Sequence, residues 1–137
     1  LLLGTHTDGE ENSLLVVAVD LPDVETEIDT RAGEFGKDTS AIALTLPHPG
    51  GEVNRARHCP QQPSLVATRP ASKVAYVFDI AKAAQEGPPG TPWLTLRGHG
   101  DEGFGCLLSS RGGRIYVRAA SGPAEKHVRA IRCCSWI

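Results

Sequence analysis

Methionine is absent from this 137-residue chain, and aromatic residues make up only 5% of it. No apolar run reaches transmembrane length, which excludes a spanning helix of ordinary type. The opening, LLLGTHTDGEENS, lacks the basic segment and small-residue cleavage site of a secretory leader. It also lacks an initiator methionine, so the sequence reads as a fragment or a processed piece. The four cysteines, Cys59, Cys106, Cys133 and Cys134, form no C-x-x-C pair. Their spacing fits neither a zinc site nor a disulfide framework, and reduced thiols of an intracellular protein are expected. G-x-S-x-G, P-loop and H-E-x-x-H motifs are all missing. Asp20, Asp79 and the histidines make no catalytic set, so no enzyme, metal site or cofactor is expected.

What the sequence does have is punctuation. Fifteen glycines and ten prolines favour short strands and turns over long helices. LLLGTHT and SLLVVAVDLP read as two strands of an antiparallel hairpin, joined by a turn headed by Asp8-Gly9. Residues 22–40 form a polar acidic loop with few apolar residues to bury, and disorder is expected there. AIALTL, EVNRAR, SLVAT and KVAYVFDI follow as strands separated by PHPGG, CPQQP and a turn through Pro70. Strands and turns alternating every ten residues or so are the pattern of antiparallel sheets. AKAAQEGPPGTP reads as a linker whose first residues form one helical turn. Charge is uneven: residues 1–51 hold ten acids and two bases, residues 97–137 seven bases and three acids. The acidic first part suits a basic partner.

LTLPHPGGEVN and LTLRGHGDEGF are two copies of one pattern. Glu52 and Glu102 lie 50 residues apart, as do Asn54 and Phe104, and His48 and His99 lie 51 apart. A repeat of about 45–50 residues with about four strands is the signature of propeller blades. Strand side chains alternate, so Glu52 and Asn54 are predicted to project together, beside Glu102 and Phe104 of the next unit. Carboxylates, an amide and an aromatic face at one rim suit an extended basic peptide. Arg55 and Arg57 share a face and could contact phosphate, but bracing neighbouring units or facing solvent is the expected role. Trp93 and Trp136 are read as packing residues.

These same segments, LLLGTHTDGEEN, GEVNRAR, AYVFDI and LRGHGDEGFG, resemble the histone-binding WD-repeat family: the retinoblastoma-binding and MSI-type small subunits of chromatin assembly factor. The resemblance covers residues 1–21 and 41–105. It implies an all-β fold, a partial WD-repeat β-propeller of about two to three blades out of seven. Residues 1–21 would end the first blade. The acidic loop 22–40 follows, then the second blade with its preceding strand at 41–80, a linker at 81–92, and the start of the third blade from 93. The resemblance further implies a nuclear, non-catalytic scaffold of chromatin assembly, remodelling, histone deacetylase and Polycomb complexes. Its partners would be histone tails, histone three above all, with no membrane contact and nucleic acid met only indirectly. Carried over by motif, the histone-peptide-binding residues are Glu52, Asn54, Glu102 and Phe104, the last standing where the family usually has tyrosine. His48 and His99 would be structural, and Phe78-Asp79 would stand in place of the usual Trp-Asp. The family's N-terminal helix and histone-four-gripping loop have no counterpart in these residues.

After Gly105 the family pattern stops. CLLSSRGGRIYVRAASGPAEKHVRAIRCCSWI replaces an expected Asp-rich turn and Trp-Asp strand, although RIYVRAA and HVRAIRCCSWI still read as strands. This tail has the look of another reading frame or a retained intron. An open propeller exposes sheet edges, and the chain alone is expected to be marginal or partner-dependent. Another WD-repeat interaction scaffold, a small β-rich enzyme and a truncated, non-functional fragment remain alternatives.

Overall fold

A computed structural model describes residues 1–8, 11–20, 40–83, 85, 90–111, 114–120 and 129–131. Most of them are in antiparallel β-strands, and the one helix is a single turn, so the all-β expectation is met. The first sheet has the order β1 (Leu2–Gly4), β2 (Ser13–Val19), β3 (Ser40–Pro47). The second is a meander of β4 (Val53–Cys59), β5 (Gln62–Pro70) and β6 (Val74–Asp79), then, after the one-turn helix α1 (Ile80–Ala83), β7 (Leu94–Arg97). The third pairs β8 (Gly105–Arg111), β9 (Arg114–Ala120) and β10 (Arg129–Ile131) in that order. Thus the sequence beyond Gly105 keeps its strands: β8 and β9 pair without a register shift from Gly105↔Ala120 to Arg111↔Arg114. The acidic segment 21–39 and residues 121–128 and 132–137 lie outside the described residues.

The second sheet is the middle layer, and β5 shows why. Its residues from Leu65 to Pro70 are all buried, although side chains alternate between the two faces. Leu65 and Ala67 point into one cluster with Cys59, Val77, Leu108 and Val117, against the third sheet. Val66 joins the opposite cluster with Leu14, Leu46 and Phe78, against the first sheet. A strand covered on both sides reads as an unbroken apolar run, as SLVAT does, whereas one-sided strands alternate. The outer sheets are covered less. On β3 only Leu46 is buried, and Ile42 is 63% exposed.

His48, Tyr76 and Phe78 close the core between the first two sheets, with ring centroids 5.3–6.4 Å apart. The His48 Nε2 lies 2.8 Å from Thr68 Oγ1, and Nδ1 accepts from the Gly50 amide. That pair of contacts requires a neutral ring protonated on Nε2. The His48 amide donates to the Asn12 carbonyl at 2.7 Å, tying the turn to the first sheet. Asn12 is itself buried, and its Oδ1 accepts from Thr5 and Thr7.

Candidate functional site

Strand β4 starts in an unusual way. Its first residue, Val53, faces Pro70 in the ladder, and proline has no amide hydrogen to donate. The chain turns its hydrogen bonds elsewhere. The Val53 amide donates to the Thr5 carbonyl at 3.2 Å, and the Ala71 amide donates to the Glu52 carbonyl at 2.9 Å. The register then slips between Val53 and Arg55, so Asn54 is an extra residue with no ladder partner on β5. A bulge of this kind re-aims the side chain it carries. Asn54 points its Nδ2 at the Gly103 carbonyl, 3.5 Å away. Gly51, at φ 78°, makes the turn that delivers Glu52 to this point.

Residue Gly103 sits between Glu102 and Phe104. Asn54, the second residue of β4, is therefore held beside the loop before β8 that carries Glu102 and Phe104, and Glu52 lies two residues before it in the chain. Strand alternation accounts for the first pair only in part. Glu52 lies in the bend before the strand, Val53 between the two is 3% exposed, and Asn54 is in the bulge. For the second pair it does not apply, because Glu102 and Phe104 precede the first residue of β8. Phe104 is 62% exposed, leaving its ring face open.

Three hydrogen bonds lock β4 beside β8. Asn54 reaches Gly103, the Arg55 Nε donates to the Phe104 carbonyl at 3.1 Å, and the Ser110 amide donates to Gln61 Oε1 at 2.9 Å. Each spans 49 residues. A constant offset means that the two strands run parallel to each other in adjacent sheets, close to the spacing of the sequence repeat. Arg55 is thus a brace between the two units.

Two contributors to this rim carry no motif. Arg69 is fully buried at the end of β5. Its Nη1 donates to the Ser72 and Val74 carbonyls, both at 3.1 Å, and its Nη2 to the Asp101 carbonyl at 2.6 Å. It therefore clamps the loop that carries Glu102. Burial lowers the guanidinium from its ordinary value, opposed by Cys106, Asp101 and Glu102. The same cation, after burial, lowers His99. His6 comes from the first sheet: its Nδ1 lies 3.3 Å from Glu52 Oε2 and its Nε2 3.0 Å from the Val53 carbonyl oxygen. The only sign of either in the sequence is polarity out of place, an arginine ending an apolar strand and a histidine between two threonines.

The other residues named from the sequence lie off the rim surface. His48 is buried behind it, 6% exposed, and burial pushes its imidazole down from 6.5 to about 4. Phe78 is core. Asp79 is at the far end of the sheet, where its Oδ1 accepts from the Ala81 and Lys82 amides and caps α1. Burial pushes the Cys106 thiol up to about 11, against the pull of Arg69, Arg57 and Arg55, which keeps it protonated at neutral pH. A groove of about 390 Å³ adjoins the rim, walled by Pro47, Pro49, Gly51 and Gly90 with Glu11 at its margin. Among the described residues no cluster of three histidine, cysteine or acidic side chains is arranged to hold a metal, and no helix is long and apolar enough to cross a membrane.

No protein-family model matches the chain.

Chemically, the rim has two carboxylates, an amide and an open aromatic face around a backbone already satisfied by its own hydrogen bonds. Such a set has the chemistry to attract cations. A charged hydrogen bond to a carboxylate contributes ~1.5–3 kcal/mol when shielded and less at the half-exposed Glu52. A cation over an aromatic ring contributes ~0.5–2 kcal/mol.

Proposed function

We propose that this chain is a histone-binding WD-repeat scaffold, a partial β-propeller whose acidic rim holds the basic tail of histone three. One observation carries the reading: two repeat copies, 50 residues apart in sequence, lie side by side, with Asn54 and Arg55 of one hydrogen-bonded to the Gly103 and Phe104 carbonyls of the other. The meander order of the second sheet, layered between two further sheets, supports a blade-like arrangement. In this reading Glu52 and Glu102 pair with lysine or arginine side chains, Asn54 holds peptide backbone or an ammonium, and Phe104 stacks on a cation. The work is binding, without catalysis or cofactor. The setting is the nucleus, among subunits of chromatin assembly, remodelling, histone deacetylase and Polycomb complexes.

The test is a titration of a synthetic histone-three tail peptide against the purified chain, followed by calorimetry, with circular dichroism on the same sample. A Glu52→Gln, Glu102→Gln double variant removes both charges and keeps the shape. The wild type is expected to bind in a salt-sensitive manner, and the double variant to bind at least tenfold more weakly, about 1.4 kcal/mol. Equal affinity in a folded double variant would remove the rim from consideration.

A further inference from the structure

His6 reaches Glu52 from a neighbouring sheet, and its two ring nitrogens both face acceptors. Nε2 lies 3.0 Å from the Val53 carbonyl oxygen. A carbonyl oxygen only accepts, so Nε2 carries hydrogen. Nδ1 lies 3.3 Å from Glu52 Oε2. An ionised carboxylate also only accepts, so this contact becomes attractive when Nδ1 carries a proton as well. The position of the ring is that of an imidazolium bridging a backbone carbonyl and a side-chain carboxylate.

We propose that His6 is a protonation-controlled internal occupant of Glu52. Charged, it satisfies the carboxylate from within the fold. Neutral, it releases the carboxylate to a lysine or arginine of an incoming peptide. The proposal deepens, and rests on, the basic-peptide reading of the rim.

The surroundings leave this role to His6. Arg55, the next cation along β4, is turned to the Phe104 carbonyl. Arg69 is buried against the Ser72, Val74 and Asp101 carbonyls. His48 is committed to Thr68 and Gly50. The acids near the rim are Asp101 and Glu102 on the β7–β8 loop, Asp8 two residues beyond His6, and Glu11 at the adjoining groove. His99, on the loop that carries Asp101 and Glu102, is lowered by burial and by Arg69, and an imidazolium at His6 is welcome beside Glu52 until a peptide supplies a better cation. Docking then expels a proton, and affinity falls as the solution is acidified. The His6 and Glu52 side chains are 51% and 43% exposed, which limits the effect to about three- to fivefold.

The experiment uses the whole chain and the histone-three tail peptide. Affinity is measured by calorimetry at pH 7.5 and 5.5, and at pH 6.5 in two buffers of different ionisation heat, which reads proton release. The wild type is expected to bind about three- to fivefold more weakly at pH 5.5 and to release protons at pH 6.5. His6→Gln, which keeps a donor for the Val53 carbonyl but does not titrate, is expected to bind with a flat profile and no release. Parallel profiles for the two proteins would overturn the proposal. A second arm needs neither peptide nor variant. In the free wild type, the Glu52 carboxyl and Val53 carbonyl carbon resonances should shift together across the histidine range. If they are indifferent to pH, the pairing is refuted whatever the peptide does. If they shift and no peptide binds at any pH, the pairing stands and the basic-peptide reading of the rim fails.

Discussion

His48 gives the fold a specific sensitivity to acid. Its ring is buried among Tyr76 and Phe78, with Nε2 donating to Thr68 and Nδ1 accepting from Gly50. A proton on Nδ1 would turn that acceptor into a second donor facing an amide, on a residue that is only 6% exposed. Burial accordingly holds the folded-state value at about 4, against 6.5 for the free side chain. Between those two values the unfolded chain takes up a proton and the folded chain does not. The stabilisation from neutral His48 is therefore complete above about pH 6.5 and is lost as pH falls towards about 4. At ~1.4 kcal/mol per unit, the full loss is about 2–4 kcal/mol, a large part of the stability of a small domain. Urea unfolding followed by circular dichroism at intervals from about pH 7.5 to 4.5 measures it. His48→Gln keeps a donor for Thr68 and loses the titration and the ring contacts, so its stability at neutral pH should drop by ~1 kcal/mol. Its pH slope near pH 5 should be shallower than the wild type's by ~1.4 kcal/mol per unit. Carboxylates titrate in both proteins and cancel in the comparison. Equal slopes would refute the account of a neutral, buried His48.

Two further substitutions test the clamps around the rim. Arg69→Met fills the same space and removes the donors for the Ser72, Val74 and Asp101 carbonyls. A loss of ~2–4 kcal/mol is expected in urea unfolding, with faster proteolysis at residues 98–104. A methyl group at Gly4 would run into the Val53 side chain and carbonyl oxygen, whereas one at Gly100 meets nothing within 4 Å. Gly4→Ala should therefore cost ~1–3 kcal/mol and speed hydrogen exchange at the Val53 amide, while Gly100→Ala stays within ~0.5 kcal/mol.

Particular residues show what the sequence could and could not reveal. Short strands bounded by glycine and proline were legible because turn chemistry is local: PHPGG, CPQQP and the break at Pro70 all fall where chain direction reverses. The repeat was legible too, and its 50-residue offset reappears in space as hydrogen bonds spanning 49 residues. The pairing of β3 with β2 was not, since residues 20–39 separate them and nothing in AIALTL names its neighbour. Nor did alternation reveal the bulge at Asn54, which depends on Pro70 across the ladder lacking an amide hydrogen. Arg69 and His6 stayed hidden for a related reason. Arg69 reaches the Asp101 carbonyl 32 residues on, and the partners of His6 lie 46–47 residues away; a lone polar residue in a strand does not say whether it meets solvent or a buried carbonyl.

The connectivity of the three sheets bears on how the chain folds as it is made. Every strand pair joins neighbours in sequence, so each sheet is closed within its own stretch: residues 2–47, 53–97 and 105–131. Among the described residues no ladder waits for a distant segment, which favours rapid pairing as each stretch emerges from the ribosome. Burial follows a different timetable. The middle sheet gains one covered face from the sheet made before it, and the other only when β8 and β9 arrive. Until then Leu65, Ala67 and Val77 face water, and the nascent chain carries a sheet whose ladders are formed while one of its faces is still wet. For that interval the apolar face of the middle layer is open, and the third sheet is what covers it.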